Sequence, residues 1–223
     1  GWRANNDLRM QLVGETGVHL VFEEILPPDL SGAYSWWGTE FHLSSDARTI
    51  LFSNPEAIGT VDRLTGEKKK LISILPYDKT RSDWAWVPGV DWIAGDDRIV
   101  FSYHGDISGF SESYDPSDYN LGILTLDEEQ PTPLIQKTGL FSYPVSSPLF
   151  SDGTVWIAYL QTLTPTQNEA NRYRIMVTDL TGTETNVVFP AEEDAYIAPQ
   201  LVVWAPGEDR DSTWLAFLSQ KNL

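Results

Sequence analysis

Residues 43–73 read LSSDARTILFSNPEAIGTVDRLTGEKKKLIS. The small polar turn Ser45-Asp46 precedes the apolar run Ile50-Leu51-Phe52. A Ser-Asp or Gly-Asp pair between apolar runs supplies the Asx-turn or positive-φ geometry that joins two strands of a hairpin. A second hairpin follows at once in IGTVDRLTGEKKKLIS (58–73), with Leu64 and Ile72 eight residues apart. Two hairpins in succession make a four-stranded antiparallel meander of roughly 50 residues.

The same pair of hairpins recurs along the 223 residues of the chain. Turns of the first kind stand in 43–53, in IAGDDRIVFSY (93–103), in FSDGTVWIAYL (150–160) and in WAPGEDRDSTWLAFL (204–218), each closing on an aromatic: Phe52, Phe101, Tyr159 and Phe217. Hairpins of the second kind stand in 8–24, 58–73, LGILTLDEEQPTPLIQ (121–136) and YRIMVTDLTGTETNVVF (173–189). Apolar residues nowhere hold the i, i+3, i+4, i+7 spacing over a helix-length window, and 16 Gly and 14 Pro leave little room for long helices. The chain therefore reads as all-β. A unit of two alternating hairpins has the size and content of one β-propeller blade. An irregular β-sandwich also has evenly spaced strands, but it does not predict the same hairpin pair in the same order. The expected fold is a β-propeller of four-stranded antiparallel blades, about four blades' worth. Blades are expected near 36–75, 86–137 and 143–190, with a split blade from 1–25 plus 196–223, all in a single domain.

The turns Ser45-Asp46, Ser151-Asp152-Gly153 and Trp204-Ala205-Pro206-Gly207, with the runs Ile-Leu-Phe, Ile-Val-Phe, Ile-Ala-Tyr and Leu-Ala-Phe after the four turns, resemble the W-S-P-D-G-x-x-I-A-F core of the TolB-like (WD-repeat-like) propeller repeat. The resemblance covers most of the chain, although no copy matches the whole motif. Ala94-Gly95-Asp96 replaces Ser-Pro-Asp in the second copy, and residues 208–212 are inserted in the fourth. The resemblance implies a binding or scaffold propeller, commonly extracytoplasmic, of six or more blades. No catalytic residue belongs to the repeat. Both ends of the chain fall in the same loop of a blade. That fits a four-bladed ring sharing one blade between the termini, or an arc of a larger propeller with open strand edges prone to self-association. The arc is the preferred expectation.

With strands A to D running up and down, the B–C and D–A loops share one face of the propeller. Phe52 to Leu64 spans 12 residues, Phe101 to Leu126 spans 25 and Tyr159 to Leu180 spans 21, so the second and third blades carry insertions on that face. Insertions concentrated on one face are how repeat proteins grow a binding surface. Just before each strand A stand Trp36, Trp86, Tyr143 and Tyr196, with Trp37, Trp84 and Phe141 beside them. Strand A is innermost, so these aromatics are expected to rim the funnel. There Trp36, Trp37, Trp84, Trp86, Tyr143 and Tyr196 form a candidate platform for an extended peptide or a sugar. The competing expectation is that they wedge between blades as core, the commoner use of aromatics.

Chemistry is sparse elsewhere. The insertion YHGDISGFSESYDPSDYN (103–120) holds Asp106, Glu112, Asp115 and Asp118, oxygen ligands that suit Ca²⁺ by type but do not follow the EF-hand spacing. A solvated acidic loop is the simpler reading. His19, His42 and His104 show no paired metal spacing, and there is no G-x-S-x-G elbow or Walker A loop. Only His104, beside Asp106, stands near the insertions. Lys68-Lys69-Lys70 reads as a solvated strand edge that discourages edge-to-edge pairing.

Composition narrows the function classes. Fifteen Lys plus Arg against 32 Asp plus Glu leave a net charge of −17, which repels nucleic-acid phosphates and anionic lipid. Zero Cys excludes disulfides, thiol nucleophiles and thiolate metal sites. The 41% of hydrophobic residues suffice for a packed core, and no apolar run is long enough to span a bilayer. The expected role is a non-enzymatic module binding protein or peptide partners without a cofactor. Alternatives are a carbohydrate-active propeller (glycoside hydrolase or lectin) and the accessory propeller of a serine peptidase.

Overall fold

The computed structural model describes residues 8–22 (without 12 and 15), 40–74, 86–105, 118–164, 171–192 and 195–219 (without 206, 208, 210 and 211). The chain forms two compact units, Gly1–Val87 and Pro88–Leu223. The described residues contain sixteen β-strands and no α-helix.

In the first unit β1 (Leu8–Met10) and β2 (His19–Phe22) make a two-stranded hairpin. After it, β3 (Glu40–Leu43), β4 (Thr49–Ser53), β5 (Ala57–Asp62) and β6 (Lys68–Ser73) form an antiparallel sheet in sequence order. The A–B turn is set by Asp46, whose Oδ1 accepts from Ser44 Oγ (2.6 Å) and Arg48 N (2.9 Å) while Ala47 takes φ 55°. The C–D turn is set by Asp62, which accepts from Leu64 N, Thr65 N and the Arg48 guanidinium. Those hydrogen bonds, that of the Thr65 amide foremost, hold the Asp62 carboxyl down at about 2. Leu8, Ile50, Phe52 and Val61 are the core of this unit. Lys68, Lys69 and Lys70 are exposed along β6, and the Lys68 ammonium lies over the rings of Phe52 (4.9 Å) and Phe22 (5.2 Å), where partial desolvation lowers its pKa.

The second unit repeats the plan. Strands β7 (Val90–Trp92), β8 (Arg98–His104), β9 (Tyr119–Thr125) and β10 (Thr132–Ile135) form one antiparallel meander. A second is formed by β11 (Val145–Ser146), β12 (Trp156–Thr162), β13 (Tyr173–Asp179) and β14 (Thr185–Phe189). The hairpin β15 (Val203–Ala205) and β16 (Trp214–Ala216) follows. Asp152 and Asp179 occupy the A–B and C–D turns, as Asp46 and Asp62 do in the first sheet.

Within this unit the first strands lie side by side. Asp91 Oδ2 on β7 accepts from the Ser146 amide on β11 (2.9 Å), and the Trp204 indole on β15 donates to the Val145 carbonyl (3.1 Å). Behind these ties, Ile93 and Val100 pack on Val155 and Ile157 between the two sheets. Ala158, Leu160, Tyr173 and Ile175 pack with Trp204, Leu215 and Phe217. Sheets stacked face to face about adjoining first strands are successive propeller blades. The second strand of each blade is covered on both faces, so Ile50-Leu51-Phe52, Ile99-Val100-Phe101 and Ile157-Ala158-Tyr159 read as continuous apolar runs.

The repeated aromatic has a partner that hydrophobic patterning does not reveal. Phe52 pairs across strands with Gly59, and Phe101 with Gly122. A Cβ on Gly59 would stand 2.7 Å from the Phe52 ring, and one on Gly122 2.9 Å from the Phe101 ring. The glycines are seats for the rings. In the third sheet Tyr159 faces Met176 instead. Its hydroxyl is fully buried with no hydrogen-bond partner among the described residues, and burial pushes the phenol pKa up. Tyr159→Phe is therefore expected to keep or raise stability, by up to about 1–3 kcal/mol. A loss on urea unfolding would show that the hydroxyl is satisfied in solution.

Candidate functional site

On the B–C/D–A end of the second unit one connection among the described residues is 136–144, which runs from β10 to β11. Its backbone is unusual: Lys137 (φ 58°) and Tyr143 (φ 39°) occupy the left-handed region without being glycine, and Gly139 (φ 98°) lies between them. Such conformations persist only where the surroundings over-determine them, and they cluster at functional loops.

The surroundings here do so. Asn120 Oδ1 on β9 accepts the Lys137 amide (2.8 Å), and Gln161 Nε2 on β12 donates to the Lys137 carbonyl (2.8 Å). The Thr138 amide donates to the Tyr119 carbonyl, and the Thr162 amide donates to the Thr138 carbonyl, both at 2.8 Å. Thr138 Oγ1 reaches Ser142 Oγ (3.1 Å), which donates on to the Gly139 carbonyl (3.1 Å). The loop thus joins the second sheet to the third, with Thr138 and Ser142 buried in it.

Its aromatic end is held as firmly. The Phe141 amide donates to the Tyr173 hydroxyl (3.3 Å), and the Phe141 ring stacks on Tyr143 with centroids 5.9 Å apart. Tyr143 is half-buried against the apolar cluster behind it. The next D–A connection returns through a bridge between Ile197 and Tyr173, the first residue of β13. That bridge buries Ile197 and leaves its neighbour Tyr196 52% exposed. The structure therefore brings Tyr143 and Tyr196 to the same end of the second unit. Trp86, four residues before β7, is buried with 7% exposure. Trp36, Trp37 and Trp84 lie outside the described residues.

The acidic insertion is represented by Asp118 alone, because Asp106, Glu112 and Asp115 lie outside the described residues. Among the described residues no three His, Asp or Glu side chains gather as a metal site. His104, the last residue of β8, is 7% exposed, with its ring tilted against Tyr119 at 5.7 Å. Burial depresses its pKa to about 4. The sign follows directly. Above pH 6.5 folded and unfolded chains both hold the neutral ring, and between 6.5 and about 4 only the unfolded chain binds the proton. Stability should therefore fall by about 3 kcal/mol as pH drops through that window, levelling off below it. Urea midpoints from pH 7 to 4 for the wild type and His104→Gln measure this, and an equal slope in both would refute it.

The sequence pointed to the aromatics but not to what fixes them. Thr138 and Ser142 lie within the loop itself, but Asn120 and Gln161 stand 17 and 24 positions from Lys137, and only the folding of β9 and β12 beside the loop brings them to it.

No sequence-family model and no curated protein matches the chain. Solved structures do. TolB from Acinetobacter baumannii aligns over 93% of this chain and 44% of its own, at 14% identity and TM-score 0.49. An oligogalacturonate lyase from Vibrio parahaemolyticus aligns over 70% of this chain and 40% of its own, at 17% identity and TM-score 0.43. A prolyl endopeptidase aligns over 79% of this chain and 24% of its own, at 12% identity and TM-score 0.44. The chain spans less than half the length of each of these three structures.

Proposed function

We propose that the chain is a non-enzymatic binding or scaffold module for protein or peptide partners, which it engages through the loop face around the propeller funnel, in an extracytoplasmic compartment. The observation that supports this most is Tyr196. An exposed aromatic stands at the end of the unit where a strained, hydrogen-bonded loop holds a second one, Tyr143. Rigid aromatics on a fixed scaffold offer large contact area at low entropic cost, which suits peptide side chains. No described helix is long and apolar enough to cross a membrane.

The test is a selection of displayed random peptides on the immobilised chain, followed by affinity measurement against Tyr196→Ala. Truncating a half-exposed ring should leave the melting temperature almost unchanged and weaken the selected peptides by about tenfold or more. Selected peptides that bind Tyr196→Ala as well as the wild type would remove the loop face as the site.

A further inference from the structure

The outer edges of the three complete sheets differ in how they are protected. On β6 the edge carries Lys68, Lys69 and Lys70, and on β10 it carries Pro133, which has no N–H to donate. Charge and proline at an edge both discourage the docking of a further strand. On β14 the edge reads Thr185-Asn186-Val187-Val188-Phe189 and carries neither. Its first four residues are exposed, Val187 by 43% and Val188 by 39%.

Register shows which backbone groups the edge offers. The Asp179 amide donates to the Glu184 carbonyl, so that pair is hydrogen-bonded across β13 and β14. The following pairs are Thr178 with Thr185, Val177 with Asn186 and Met176 with Val187. Alternation in an antiparallel ladder then turns the N–H and C=O of Thr185 and Val187 away from β13. The uncharged strand is bracketed by two exposed carboxylates, Glu184 before it and Glu192 after it.

We propose that the outer edge of β14 is a second docking site, distinct from the loop face, which takes an extended peptide of β-branched residues flanked by basic ones as a fifth strand. Main-chain hydrogen bonds to Thr185 and Val187 supply the affinity, and the flanking carboxylates select the basic ends. Charge also disfavours a second copy as the occupant. Pairing β14 with itself brings together two chains each of net charge −17 and supplies no basic partner for Glu184 or Glu192.

The probe is a fluorescein-labelled peptide KKTVTVTKK, followed by anisotropy at low ionic strength. The wild-type chain should bind it saturably. Val187→Pro removes one outward N–H and changes no charge, and it should weaken binding by about tenfold or more, as should Thr185→Pro at the other outward position. Melting curves confirm that each variant is folded. A peptide N-methylated at alternate residues should not bind, and Tyr196→Ala should bind the parent peptide as the wild type does. Equal binding by both proline variants, or by the N-methylated peptide, overturns the proposal. So does a wild-type chain that ignores the peptide and sediments as a dimer dispersed by Val187→Pro, because the edge then belongs to a second copy.

Discussion

Phe101→Ala is expected to lower the unfolding free energy by about 3–5 kcal/mol, the range for truncating a buried phenylalanine to alanine. Phe101 is fully buried on β8, the doubly covered strand of its blade. The informative companion is Gly122→Ala. A methyl there meets the Phe101 ring at 2.9 Å, so the substitution should cost about 1–3 kcal/mol by overpacking. In the Phe101→Ala background the ring is absent and most of that cost should vanish. Urea unfolding of the four chains of this cycle measures the coupling. Additive effects would mean that the ring does not rest on the glycine. The repeated aromatic would then be ordinary core, without a specific seat.

Trp86→Ala is the second large effect. Trp86 lies just before β7 and is almost wholly buried. Its truncation should cost about 3–5 kcal/mol, as for other buried tryptophans. Tyr196→Ala stands at the equivalent place in the sequence repeat and should cost little. Measured side by side, the two separate packing from display within one set of aromatics. A small loss for Trp86→Ala would show that its ring is available to a ligand.

The fold was legible because each turn carries its instruction locally. Asp46, Asp152 and Asp179 set their turns with their own carboxylates, as an isolated hairpin would. The runs ending in Phe52, Phe101 and Tyr159 announce strands covered on both faces. Strand order follows, because consecutive hairpins have only one simple way to pair. What was not legible is what joins blade to blade. Asp91 and Ser146 stand 55 positions apart, and Val145 and Trp204 stand 59 apart. Nothing in the residue types marks either pair. The strained loop is equally silent, since Lys137 and Tyr143 do not advertise a positive φ as glycine or asparagine does. Exposure of the aromatics was the least readable property. Trp86 and Tyr196 share a place in the sequence repeat, yet one is buried and the other displayed.

The central claim is that the sheets of the second unit are successive blades with their first strands side by side. The nuclear Overhauser spectrum of the isotopically labelled chain tests it most directly. Blades require cross-peaks from the Ser146 amide to the Asp91 side chain, and from the Trp204 indole N–H to Val145 and Ser146, because both ties are hydrogen-bonded at 2.9 and 3.1 Å. Two sheets of a sandwich would contradict it: the peaks between β7, β11 and β15 would be missing while the pairings inside each meander remained.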